Sequence, residues 1–128
     1  LYSLYSQGAT EQNYLRGVQE ADGDGRLTFT SIFPAAYMGR WPHIHFEVYA
    51  SLADATSAGT MLVTSQIALP EDVCEAVYAT DGYAQSVSNM ARTSLESDNV
   101  FSDGVSEQLA TMTGSVEDGY VASLSVTV

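Results

Sequence analysis

The chain contains no lysine, and its four basic residues are all arginines: Arg16, Arg26, Arg40 and Arg92. Against sixteen acidic residues this leaves a net charge of −12, which excludes a surface that tracks phosphates. Nucleic acids and anionic membranes are therefore not expected as partners. An anionic ligand would be repelled except where an arginine is placed to receive it. Cysteine is also nearly absent: with Cys74 alone, neither an internal disulfide nor a Cys-rich metal site can form. No apolar run reaches the length of a membrane span. The 45% of hydrophobic residues in 128 is nonetheless enough for the core of one ordinary domain.

Only two histidines occur, and both fall in Tyr37-Met38-Gly39-Arg40-Trp41-Pro42-His43-Ile44-His45-Phe46-Glu47-Val48-Tyr49. From Pro42 onward polar and apolar residues alternate, the period of a half-buried strand. Ile44, Phe46 and Val48 then face one way, and His43, His45 and Glu47 the other. Side chains two apart on a strand stand roughly 6 to 7 Å from one another, so two imidazoles can converge on one metal ion. The plainer alternative is two polar residues on the wet face of an edge strand. Tyr37 and Arg40 just upstream add a phenol and a fixed cation, which favours a site.

Along the chain, residues 1–13 read as a short strand or turn followed by a polar loop. Tyr14–Glu20 and Arg26–Ile32 are β-prone runs flanking Ala21-Asp22-Gly23-Asp24-Gly25, the turn chemistry of a hairpin. A calcium loop of EF-hand type would need a glutamate at its twelfth position, where Phe33 stands. The His-x-His strand runs to about Ala50, Ser51–Gly59 reads as a surface loop, and Met61–Leu69 as a further strand carrying Gln66. Pro70-Glu71-Asp72 start a short helix, with Cys74 packed inside it. Residues 81–103 read as irregular or partly helical. Two last strands, Ser106–Thr113 and Tyr120–Val128, flank a turn at Val116-Glu117-Asp118-Gly119. The sum predicts a mainly β chain: a β-sandwich of mixed or antiparallel strands with one short helix after residue 70 and long loops. A single catalytic domain over 1–128 is expected. The opening on Leu1 without a methionine suggests that some N-terminal part is missing.

Three segments together resemble the intradiol ring-cleavage dioxygenases, the catechol and protocatechuate class. They are Tyr14-Leu15-Arg16-Gly17-Val18-Gln19, the Asp22–Gly25 turn with Arg26-Leu27-Thr28-Phe29, and Tyr37 followed by Gly39-Arg40-Trp41-Pro42-His43-Ile44-His45-Phe46. The Leu69–Cys74 segment and the C-terminal hairpin look like an exported bacterial branch of that family. The resemblance implies a non-haem ferric ion (Fe3+) held by two tyrosines and two histidines. His43, His45 and Tyr37 match by position, and Tyr2 matches the remaining tyrosine, with Tyr5 as its competitor. Arg40 and Gln66 match the family's arginine and glutamine. Phenolate oxygens suit a hard ferric ion far better than thiolates do.

The resemblance further implies a small aromatic diol and O2 as substrates, with cleavage between the two hydroxylated carbons to a cis,cis-muconate. On the same resemblance Tyr37 would be displaced as substrate binds and accept a proton, and Arg40 and Gln66 would stabilise developing negative charge. No second arginine is evident for a carboxylated ring, which favours catechols without a carboxylate. An extracellular location is implied, with the cytoplasm as its alternative. Two other readings stand beside this one. A zinc or iron hydrolase or cupin-like metal-binding domain would use the same His-x-His, and a β-sandwich binding module would not be catalytic. The hydrolase leaves Tyr37 without a role, and a cupin wants its glutamate further along than Glu47.

Overall fold

The computed structural model describes all 128 residues, which form seven short elements joined by long loops. These are β1 (His43–Tyr49), α1 (Leu52–Thr56), β2 (Met61–Ala68), α2 (Glu71–Tyr78), α3 (Ala84–Met90), β3 (Thr111–Ser115) and β4 (Gly119–Ser123). The strands make two separate two-stranded sheets, β1 with β2 and β3 with β4. This corrects the expected β-sandwich: the architecture is mixed α and β, mostly loop, with three short helices. Two sheets packed face to face require strands on both sides of a shared core, and too few form here.

Two compact units divide the chain, one of Leu1–Ile32 with Tyr49–Thr60, the other of Phe33–Val48 with Met61–Val128. The first explains most of the missing strands. Around residues 22–26 the turn is made as its composition predicts. The Asp22 carboxylate accepts from the amides of Asp24 and Arg26, both at 2.9 Å, and Gly25 takes a positive φ of 78°. Two further bonds, Asp22 N–H to Arg26 O at 2.9 Å and Gly25 N–H to Asp22 O at 3.0 Å, close the turn. Beyond it neither Tyr14–Glu20 nor Arg26–Ile32 is a strand. Leu15, Val18, Leu27, Phe29 and Ile32 are all exposed, and a two-stranded ribbon with no covered face is marginal in water. Nearer the start, Arg16 donates to Ser3 Oγ and Ser3 O at 3.1 and 2.9 Å, and its guanidinium carbon stands 5.3 Å from the Tyr5 ring centroid. The segment expected as a surface loop contains α1, capped by Ser51 Oγ accepting from Asp54 N–H at 3.1 Å.

The second unit holds the core. In α2, Glu71 and Asp72 occupy the first turn, where the helix dipole favours acids, and Cys74, Val77 and Tyr78 are buried. They pack with Ala36 and Leu69, and with the partly buried Phe33, Tyr83, Met90, Met112 and Tyr120. Tyr78 and Tyr83 stack with centroids 5.4 Å apart. Their hydroxyls donate to Pro34 O at 2.9 Å and Phe33 O at 2.8 Å, so both rings are packed inward with their polar ends satisfied. Burial, together with the neighbouring Asp72 and Glu71 charges, pushes the Cys74 thiol up to about 12. It is a packing residue with no thiolate to offer. A second cluster joins Trp41, Ala68 and Phe101 with Met90, Leu95, Val100 and Val105.

Within this unit Ala68 ties the end of β2 to the chain before β3. Its N–H donates to Gln108 O at 2.8 Å, and its carbonyl accepts from Ala110 N–H at 3.0 Å. The β3–β4 hairpin pairs antiparallel from Thr111 opposite Ser123 to Ser115 opposite Gly119. Gly114 is required there: its φ is 108°, and a Cβ would sit 2.1 Å from Gly119 O.

Phe101 is among the most buried side chains of the protein and anchors the second cluster. Phe101→Ala should lower unfolding stability by about 3–5 kcal/mol, read from the midpoint of urea denaturation. A shift under about 1 kcal/mol would mean that this cluster is not the packed core described.

Candidate functional site

The site is built on the Phe33–Val48 segment of the second unit. Tyr37 follows a stretch of backbone fixed from outside. Ala36 N–H donates to Ser86 Oγ at 3.1 Å, and Ala36 O accepts from Asn89 Nδ2 at 2.9 Å. Both partners are buried residues of α3. A turn at Gly39, with φ of 85°, then brings Arg40 back toward Tyr37, whose carbonyl accepts from Arg40 N–H at 3.4 Å.

Arg40 is the centre of the cluster. Its Nε donates to Asp98 Oδ2 at 2.8 Å, and its Nη2 to Asp98 Oδ1 at 3.4 Å. Nη1 donates to Tyr37 Oη at 3.3 Å, and Nη2 also makes a close contact with Gln66 Oε1. One guanidinium thus spans a carboxylate, an amide and a phenol, as its planar fork permits. Asp98 is fully buried and Arg40 only 16% exposed at its side chain. The same carboxylate accepts the backbone N–H groups of Trp41 at 2.7 Å, Val100 at 2.8 Å and Phe101 at 3.2 Å. Burial alone would raise the Asp98 carboxyl. The Arg40 guanidinium and these three amides outweigh it and hold the group below the usual carboxylate range.

Trp41 is locked in turn, its indole Nε1 donating to Leu69 O at 2.8 Å. Its carbonyl stands 2.5 Å from His43 Nδ1. A carbonyl only accepts, so Nδ1 carries the hydrogen and Nε2 keeps its lone pair. That lone pair faces Tyr37 Oη at 3.3 Å, with ring centroids 5.6 Å apart. Burial lowers the His43 pKa from its ordinary value; the Trp41 carbonyl opposes this, and the Arg40 charge adds to it. The imidazole is therefore held neutral, the form in which histidine binds metals.

His45 lies two residues on in β1 and is exposed, and its Nε2 stands 3.2 Å from Glu47 Oε1. The expected sharing of one strand face holds for this pair. Tyr37, Arg40, His43 and Gln66 are thus brought together, while His45 is engaged beside them with a carboxylate. Tyr2 and Tyr5 belong to the first unit. Tyr2 is held there through its backbone: its N–H donates to Ser6 Oγ at 2.8 Å, and its carbonyl accepts from the Tyr5 and Ser6 amides. The expected helix, His-x-His strand and Gln66 strand all form, within a residue or two at their ends, and they position the site.

Asp98, Ser86 and Asn89 were not among the sequence candidates. They lie 50 to 58 residues beyond the groups they hold, in a Ser- and Asn-rich stretch whose composition reads as irregular or partly helical. The one available signal was an aspartate without an obvious cap or turn role in a chain whose sole candidate cation was Arg40.

Tyr37 and His43 suit a hard cation: a phenol oxygen and an imidazole lone pair face each other, and His43 has the backbone-anchored Nδ1–H usual for a metal-binding histidine. No group of three or more His, Cys, Asp or Glu side chains is arranged to hold a metal ion. No protein-family model, curated protein or solved structure matches the chain.

Two pH effects follow. His43 favours the neutral form in the fold. The stability it contributes is complete above its unfolded pKa of about 6.5 and is lost as pH falls through the lower folded value. Its proton resonances in the metal-free protein should titrate with a midpoint below about 6.5, and a midpoint at or above that value would contradict the burial described. Asp98 favours the charged form. Its contribution is present above about 3.9 and disappears as pH falls through its depressed folded value, so stability measured by urea should drop steeply on acidification. Asp98→Asn should flatten that drop, and an unchanged acid limb would contradict the pairing.

Proposed function

We propose that the Tyr37–Arg40–His43 cluster is a ferric site that cleaves catechol-type rings between their two hydroxylated carbons. The observation that carries this reading is the opposition of Tyr37 Oη and the His43 Nε2 lone pair at 3.3 Å, with a guanidinium at the same phenol. The resemblance of the His-x-His segment supplies the reaction class. Tyr37, His43 and His45 are the proposed ligands within the second unit, and the resemblance implies a second tyrosine to complete the set.

A ferric ion bound there would supply Lewis acidity toward the diol and redox chemistry toward O2. The chain's own groups account for the rest. His43 remains neutral and oriented by the Trp41 carbonyl, so it offers a lone pair without first losing a proton. Tyr37 Oη is the acceptor for a proton of the incoming diol, and the Arg40 Nη1 beside it stabilises negative charge at that position. Gln66 holds the other Arg40 nitrogen and keeps the guanidinium plane fixed during turnover. Catechol and O2 combine without loss of atoms, both oxygens entering the muconic acid. Asp98 already neutralises Arg40, so the cluster has no surplus cation for a ring carboxylate; catechols without one are the preferred substrates.

Reconstituting the metal-free protein with Fe3+ tests this directly. The loaded protein should show a visible phenolate-to-iron band and consume O2 with catechol in a one-to-one ratio, forming muconate. Tyr37→Phe should remove part of the band and cut turnover about 100-fold or more, in the range expected when a proton-transfer group is lost. A colourless protein that takes up zinc stoichiometrically, or a Tyr37→Phe variant with unchanged turnover, would sink the proposal. Protocatechuate turned over faster than catechol would overturn the substrate preference.

A further inference from the structure

We infer that Asp98 is the positioning residue of this site, one carboxylate that fixes both the aim of Arg40 and the backbone that orients His43. This deepens the dioxygenase reading and rests on it for its catalytic meaning, although the positioning itself is a property of the metal-free protein.

The two oxygens of Asp98 divide the work. Oδ2 accepts from Arg40 Nε at 2.8 Å and from Trp41 N–H at 2.7 Å. Oδ1 accepts from the Val100 and Phe101 amides at 2.8 and 3.2 Å, and more distantly from Arg40 Nη2 at 3.4 Å. The second pair anchors the carboxylate to its own loop, and the first pair hands that anchorage to the site. With Nε held, the guanidinium plane is set, and Nη1 and Nη2 fall on Tyr37 Oη and Gln66 Oε1. With Trp41 N–H held at one end and its indole at Leu69 O at the other, the residue is pinned at two points. Its carbonyl then meets His43 Nδ1 and leaves Nε2 toward Tyr37.

A carboxylate with no exposure would be costly unless its acceptor sites were filled, and each is filled by a group that leads to the site or to the anchoring loop. A merely structural ion pair would need Arg40 alone. The simultaneous capture of the Trp41 amide, two residues before His43, is what makes Asp98 a positioning residue.

The test uses Asp98→Asn in the full chain, with Val77→Ala as a control that weakens the neighbouring core without touching the cluster. Nitrogen-15 shifts of the His43 ring are read in metal-free protein at a pH where the ring is neutral. The unsubstituted protein and Val77→Ala should show the single Nδ1–H tautomer. Asp98→Asn should show a mixture, together with loss of the shifted Arg40 Nε–H resonance. Its affinity for Fe3+, offered as the nitrilotriacetate chelate, should fall about 10- to 100-fold, the range for groups that orient metal-binding histidines. A folded Asp98→Asn protein that keeps the pure tautomer and the Arg40 resonance overturns the inference, as does a Val77→Ala protein showing the same tautomer mixture.

Should Asp98→Asn fail to fold, hydrogen exchange in the unsubstituted protein decides instead. The Trp41 amide and Arg40 Nε–H should be strongly protected, and fast exchange at either overturns the inference. A protein that shows the tautomer response but no colour or O2 uptake with Fe3+ would leave Asp98's role standing and reject the dioxygenase reading alone.

Discussion

The Asp98 carboxylate is the interaction on which the geometry of the Tyr37–Arg40–His43 cluster depends. Removing a charge from water is favourable only when every lone pair finds a donor, and here a guanidinium and three backbone amides provide them. The amides come from both sides of the contact, Trp41 on the site segment and Val100 and Phe101 on the later loop. Two pieces of irregular chain, neither with a ladder of its own, are thereby fixed to one another. Trp41 and Phe101, whose amides bond the carboxylate, also belong to the neighbouring apolar cluster with Ala68.

The charge of the chain gives this pair a second meaning. In a protein of net charge −12, an unpaired arginine would be the obvious landing point for any anion. Arg40 is instead committed to an internal carboxylate, an amide and a phenol. Its role is to hold hydrogen-bonding geometry and local charge at Tyr37 Oη, with little left over to attract ligands from a distance. A guanidinium so committed is poorly suited to receiving a second anion.

Much of the site was legible from residues 37–49, because polar and apolar residues alternate there and few other residues compete for the same chemistry. Gln66 was singled out only through the resemblance, whereas α2 was legible from a proline and two acids at its start. The sandwich was not, and the reason lies in residues 14–32. Their β-prone side chains and good turn chemistry describe what the segment would do if covered. Leu15, Val18, Phe29 and Ile32 are exposed, so the pattern finds no partner face. The helix α1 was missed in a segment read as a surface loop, and α3 falls in a stretch read only as irregular or partly helical, because it forms around buried contacts of Ser86 and Asn89 that no local pattern encodes. Asp98 escaped because its partner Arg40 lies 58 positions away, beyond any local pattern of sequence spacing.

The hold of α3 on Ala36 has a consequence for how this segment tolerates change. Both backbone groups of Ala36 are taken by the side chains of Ser86 and Asn89, and the carbonyls of Phe33 and Pro34 by the hydroxyls of Tyr83 and Tyr78. The path of the chain into Tyr37 is thus encoded in the side chains of distant residues and only weakly in its own. Drift at Pro34 and Ala35 is cheap as long as the main chain keeps its course, whereas Ser86, Asn89, Tyr78 and Tyr83 carry the constraint. In a set of diverged sequences sharing this arrangement, the positions that vary together with Tyr37 would be found on the helices, far downstream of it.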